Sequence, residues 1–198
     1  MNDPQSWVAH TYDRLADLLT TAPTETWGAP SLCDEWSVRH VVAHVTMPVR
    51  LTPERFRAEM AAAGGDFTTL SNTVAARDAS LPVADLLGQL RSPSLHAWQP
   101  PGGGAAGALS HAVIHSLDVT IALDRGAVAP PEAIRALLDR LTAAGGTVFG
   151  IDLSDVRLEA IDLDWSWGDG QAVKADGGSL VALLAGRTLR DGRALPHR

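Results

Sequence analysis

The sequence predicts a mainly α protein: an antiparallel four-helix bundle over residues 1–126, followed by a small α+β domain over residues 127–198. Three observations carry this reading. Apolar residues recur at spacings of three and four through most of the first 126 residues. Two histidine pairs, His40/His44 and His111/His115, stand four apart on two of those helical segments. After Pro130-Pro131 the pattern changes, and residues 157–167 alternate apolar and polar with the period of a half-buried strand.

Taken in order, Trp7, Tyr12, Leu15, Leu18 and Leu19 mark an amphipathic helix from about Pro4 to Thr21. A loop rich in Thr, Pro and Gly follows to Glu35. Ser37 is the N-cap of a second helix with Val38, Val41, Val42 and Val45 as its core stripe. His40 occupies the position where a capping box has Glu or Gln, so the reciprocal bond is expected to be missing or altered. Pro48 has no N–H for the carbonyl of His44 and should kink or end this helix. Thr52-Pro53 restarts a helix that stops at Gly64-Gly65. Residues 66–80 are polar and weakly patterned and read as loop, with one turn of helix at most. Leu81-Pro82 opens a helix to about Trp98, weakened by Gly88 and Pro93, and the Pro100-Gly104 run breaks the chain before a central helix ending at Gly126. Beyond it, Glu132–Ala144 is helical, Arg157–Trp167 is a strand, and Gly168-Asp-Gly170 turns it into a hairpin partner at Gln171–Ala175. Ser179–Ala185 is a short apolar helix ended by Gly186-Arg187.

Composition excludes several classes of function. The chain has 198 residues, enough to bury a real core, and its 45% hydrophobic and 20% charged content is that of an ordinary globular protein. A net charge of −7, with no concentration of Arg or Lys, argues against nucleic acid. No apolar run reaches the roughly 18–20 residues of a membrane span. The acidic Met1-Asn-Asp-Pro start does not read as a signal peptide, and a single cysteine, Cys33, fits a reducing cytoplasm. Of the 16 basic residues all but Lys174 are Arg, and with abundant Ala and Gly this suggests a GC-rich bacterial genome.

The histidines carry the chemistry. Between Ala108 and Leu123 the one residue sure to be charged is Asp118, so His111 and His115 sit on a central, nearly all-apolar helix. Buried imidazoles need polar partners, and a divalent cation is one such partner. Residues i and i+4 share a helix face with Cβ atoms roughly 5–6 Å apart, close enough to grip one ion. His44 is the preferred third ligand, since His40 lies in the first turn beside the solvent-facing Arg39. Three neutral imidazoles suit Zn²⁺ best, with Ni²⁺, Fe²⁺ or Cu²⁺ as alternatives, and leave a position open for water or substrate. Asp118, a turn beyond His115, is either an acceptor that orients a ligating ring or a solvated charge. Cys33 reads first as a small buried residue and second as a nucleophile or fourth ligand. His10, His96 and His197 have no helical partner and read as structural.

The segment from Trp27 to His44, with Pro30-Ser-Leu-Cys33, Trp36-Ser-Val38 and Ala43-His44, resembles the opening motif of the mycothiol-dependent maleylpyruvate isomerase family within the DinB-like superfamily. His111-Ala-Val-Ile-His115 falls where that superfamily carries its second and third metal ligands. The tail, from Ile161-Asp-Leu-Asp-Trp165 to the Gly186-Arg187 that closes the last helix, is similar to the family's C-terminal domain. The resemblance implies a DinB-like bundle, a divalent metal on His44, His111 and His115, and a low-molecular-weight thiol, mycothiol or another, as co-substrate. It also implies that Arg187 reaches back to the bundle and binds a carboxylate of substrate or thiol. Two positions depart from the family: the isomerase has Glu where this chain has His111, and relatives usually have an acidic residue at His40. The expected activity is isomerisation or S-transfer on a small electrophile. The alternative is a non-catalytic metal- or small-ligand-binding module. Expected partners are the thiol and the electrophile, with the chain a monomer or homodimer.

Overall fold

The structure, a computed structural model, describes residues 3–198. Helix α1 (Pro4–Thr20) starts on Asp3, whose carboxylate accepts from the Gln5 N–H, and buries Val8, Thr11, Tyr12, Leu15, Ala16 and Leu19. A 3₁₀ turn at Thr24–Gly28 buries Trp27. In α2 (Val38–Val45) the capping box is altered and still present. His40 Nδ1 accepts from the Ser37 N–H at 3.3 Å and lies 2.8 Å from Ser37 Oγ, so an imidazole does the work of a carboxylate.

Pro48 ends α2 as its missing N–H requires, and a single turn, α3 (Met47–Arg50), follows. From there Arg50 folds back, donating to the Ala43 carbonyl at 2.6 Å and to Asp78 at 2.8 Å. Helix α4 (Pro53–Ala62) begins on the Thr52 cap and buries none of its residues. The stretch 66–80 is not loop: α5 (Phe67–Asp78) runs for 12 residues from an Asp66 cap. Its buried face holds Leu70, Ser71, Val74, Ala75 and Asp78 at helical spacing, but two of those five are polar, which hid the stripe. The helix expected over residues 81–98 divides at Pro93 into α6 (Val83–Leu90) and α7 (Pro93–Ala97). Helix α8 (Gly104–Thr120) is central, packing against α1 and α2, while α2 packs against α5. It stops short of Gly126, in turns.

Helix α9 (Pro131–Ala143) and α10 (Gly177–Leu184) pack on each other and on α8, and all eight residues of α10 are buried. Between them lies a three-stranded sheet of order β2-β1-β3. Strands β1 (Val156–Ala160) and β2 (Ser166–Trp167) pair antiparallel, with Leu158 opposite Trp167. Strand β3 (Gln171–Ala175) pairs parallel to β1, with Val156 opposite Gln171 and Ala160 opposite Ala175. The single strand expected over residues 157–167 is therefore itself a hairpin, and residues 171–175 join its other edge. The crossing passes under the start of β1, where a Cβ on Gly168 would meet the Val156 carbonyl oxygen at 2.2 Å and one on Gly170 would meet the Asp155 carbonyl carbon at 2.1 Å. Only glycine allows backbones so close. No helix among the described residues is long and apolar enough to cross a membrane.

Candidate metal centre

Helix α8 turns His111 and His115 toward the last turn of α2, which carries His44. The three rings form a nearly equilateral triangle, with centroids 5.0 Å apart for His44–His111, 4.7 Å for His44–His115 and 4.9 Å for His111–His115. One ring nitrogen from each lies within 4.8 Å of the other two. His44 is buried and the other two are half-buried, so the cluster meets solvent on the α8 side. His40 is absent from it, held by Ser37. His96 is bound to the Leu90 carbonyl at 2.8 Å.

Each imidazole is tied down through Nδ1. His115 Nδ1–H donates to Asp118 Oδ2 at 2.9 Å, His44 Nδ1 lies 2.9 Å from Ser71 Oγ, and His111 Nδ1 lies 3.1 Å from Tyr12 Oη. The Nε2 atoms of His44 and His111 are 3.1 Å apart. Rings fixed by outer hydrogen bonds and converging through their other nitrogens form the donor set that divalent metals take, and three neutral nitrogens suit a tetrahedral ion with one position left open. Burial and the neighbouring imidazoles push His44 well below its ordinary pKa, and burial followed by His115 brings His111 down to about 3. Both rings are therefore neutral at pH 7, the protonation state that a ligand needs.

Asp118 is the anchor of this arrangement. Its side chain is fully buried, and besides His115 it accepts from Arg187 Nε at 2.7 Å, Arg187 Nη2 at 3.0 Å and the Cys33 thiol at 3.0 Å. Burial opposes its charge, but the bonds from His115 and Arg187 outweigh this and hold the carboxyl far below the usual range. Arg187 does reach the bundle, and its donors face Asp118 and Cys33. Burial, then Asp118, pushes the Cys33 thiol up despite the guanidinium, so the sulfur stays protonated and serves as a donor. Cys33, His115 and Asp118 also lie within ligand distance of one another. Arg187 already supplies the positive charge there, and a second cation would have to displace it.

Trp36 and Trp98 stand beside the centre, their ring centroids 5.0 Å from His44 and 5.4 Å from His111. Trp36 is fixed by its indole N–H donating to Asn72 at 3.1 Å. Sequence reasoning passed over Tyr12, Ser71, Trp36 and Trp98. Tyr12 did carry a signal, since a phenol on the buried face of a helix must find a partner for its hydroxyl. A surface depression of about 500 Å³ between Leu18, Thr21, Thr26, Leu123 and Arg125 lies elsewhere and presents no convergent donor set.

Comparison with known proteins agrees with this fold. Residues 8–97 match the family model described as the mycothiol maleylpyruvate isomerase N-terminal domain. No curated protein matches the chain. Two solved structures share its fold, mycothiol-dependent maleylpyruvate isomerase (TM-score 0.58) and a histidine-to-alanine variant (TM-score 0.56). Each is 19% identical, with 98% of this chain and 95% of that chain covered.

Proposed function

From the match of residues 8–97 to a mycothiol maleylpyruvate isomerase N-terminal domain, we propose that His44, His111 and His115 hold a divalent metal ion, Zn²⁺ first, in a thiol-dependent isomerase or S-transferase. The observation that carries this reading is the convergence of three Nδ1-anchored imidazoles from two helices. When bound, the ion supplies an open Lewis-acid position that favours the thiolate form of a low-molecular-weight thiol, mycothiol or a relative. The chain's own residues do the rest. His44 and His111 enter neutral, so no proton need be expelled before binding at pH 7. Trp36 and Trp98 set apolar rings against His44 and His111, and low-polarity walls strengthen electrostatic attraction beside them. Arg187 Nη1 has only a 3.4 Å contact with the Ala185 carbonyl and is the donor free to meet a carboxylate of thiol or substrate. The substrate is a small electrophile, an activated alkene in the isomerisation case, to which the thiolate adds before bond rotation and elimination.

The test is elemental analysis of protein purified without a histidine tag, followed by thiol-dependent consumption of activated alkenes. The expected result is one bound ion per chain, lost in His115→Ala together with turnover. A wild-type protein that takes up no divalent metal overturns the reading. One observation favours a second reading, a non-catalytic binding module: Asp118, the carboxylate against the rings, is occupied by Arg187 and His115 and is not free to act as a general base. Metal-loaded protein that consumes no thiol with any alkene, epoxide or halide would establish that alternative.

A further inference from the structure

The three outer partners of the histidine cluster differ in what they can do with a proton. A carboxylate only accepts, so Asp118 fixes the proton of His115 on Nδ1 and leaves Nε2 free. Hydroxyls donate or accept, so Ser71 and Tyr12 leave His44 and His111 able to adopt either tautomer. The Nε2 atoms of these two rings are at hydrogen-bond distance, which places one proton between them whenever no cation is there. The proton belongs to whichever ring has an outer partner donating to its Nδ1. Tyr12 is that partner. It is 1% exposed, its O–H is confined to the ring plane, and its hydroxyl has no partner among the described residues except His111 Nδ1. The Ser71 hydroxyl, less deeply buried at 6%, rotates freely about its Cβ–Oγ bond and can accept instead. A buried hydroxyl with one neighbour donates to it.

We propose that Tyr12 is a positioning residue of the metal centre, whose hydroxyl turns from donor to acceptor as His111 moves its proton from Nε2 to Nδ1. The proposal rests on the metal reading above. In the empty cluster the bonds run from Tyr12 O–H to His111 Nδ1, and from His111 Nε2–H to His44 Nε2. For His111 to offer Nε2 to an ion, that proton must reside on Nδ1, where only the phenol oxygen can accept it. No proton is gained or lost by the ring. The aromatic stack of Tyr12 on His96, with centroids 6.4 Å apart and planes 12° apart, keeps the phenol in place during the exchange.

Tyr12 is the chain's only tyrosine, so protein labelled with ¹³C at tyrosine Cζ gives a single signal that reports on this one bond. Zn²⁺ is titrated into the labelled full-length protein, with binding followed separately by competition with a chromophoric chelator. The expected result is a Cζ shift that tracks Zn²⁺ occupancy, and a Tyr12→Phe variant of unchanged circular dichroism that binds Zn²⁺ at least about tenfold more weakly. A structural role in the core would leave the Cζ signal insensitive to the ion. If the wild type binds Zn²⁺ while the Cζ signal stays fixed, or if Tyr12→Phe binds with equal affinity, Tyr12 has no such role and the metal reading survives. If the wild type binds no Zn²⁺, both fall together.

Discussion

Asp118 is a carboxylate with no access to water, and four donor atoms make that tolerable. Removing the guanidinium would leave a buried charge held by one imidazole and one thiol. Arg187→Ala is accordingly expected to lose about 3–5 kcal/mol of stability, read from urea unfolding of metal-free protein, whatever its effect on substrate. The two depressed histidines act on stability in a different pH range. Their folded pKa values lie below the unfolded value near 6.5, so the unfolded chain binds more protons between the two. Their stabilising effect is complete above pH 6.5 and is lost as pH falls, for His111 down to about 3. The midpoint of thermal unfolding in chelator should drop steadily below pH 6.5, and His111→Gln should flatten that slope. Asp118, whose folded pKa is also depressed, adds to the slope only below about pH 5, where the unfolded carboxyl begins to take up a proton that the folded one does not.

At the scale of elements, what could be read in the sequence depended on whether burial was apolar. Helices α1, α2 and α8 bury mostly apolar faces, and the four-residue spacing of His111 and His115 sets both on one side of α8. Helix α5 was invisible because Ser71 and Asp78 on its buried face are matched by His44 and Arg50 of other elements, and a partner across space leaves no mark in local periodicity. Alternation likewise marked residues 157–167 as extended but could not say where the hairpin folds or on which edge β3 lies. That choice is written in the glycines. At Gly168, φ is +80° and the Val156 carbonyl occupies the place of a side chain, so Gly168→Ala should cost at least about 2 kcal/mol and detach β3 from β1. Gly126→Ala, with nothing within 4 Å, should change thermal stability little. Equal melting temperatures for the two variants would mean that the crossing is not close.

For the whole molecule, the sequence division at residue 126 separates two patterns, and we propose it as a division of the chain's organisation rather than of its stability. Apart from a small cluster of Met47, Leu51, Leu70 and Val74, the buried apolar residues form one continuous cluster from Val8 to Leu195, running through α8 into α9 and α10. The contact is close: a Cβ on Gly178 would meet Leu117 Cδ2 at 2.8 Å, and one on Gly177 would meet Leu163 and Ile134. The same interface carries the bond from Arg187 to Asp118, and through it the C-terminal part fixes a ring of the proposed metal centre. Cutting the chain at 126 would expose Leu117, strip Asp118 of its cation and release His115 in one step. Full-length protein is therefore expected to unfold in a single calorimetric transition, with calorimetric and van't Hoff enthalpies equal. Residues 1–126 alone should lack sharp amide dispersion in NMR spectra and bind Zn²⁺ more weakly than the whole chain. A fragment that folds cooperatively and keeps full affinity would show that the bundle builds its site unaided, and Arg187 would then have to be explained by what it binds instead of what it holds in place.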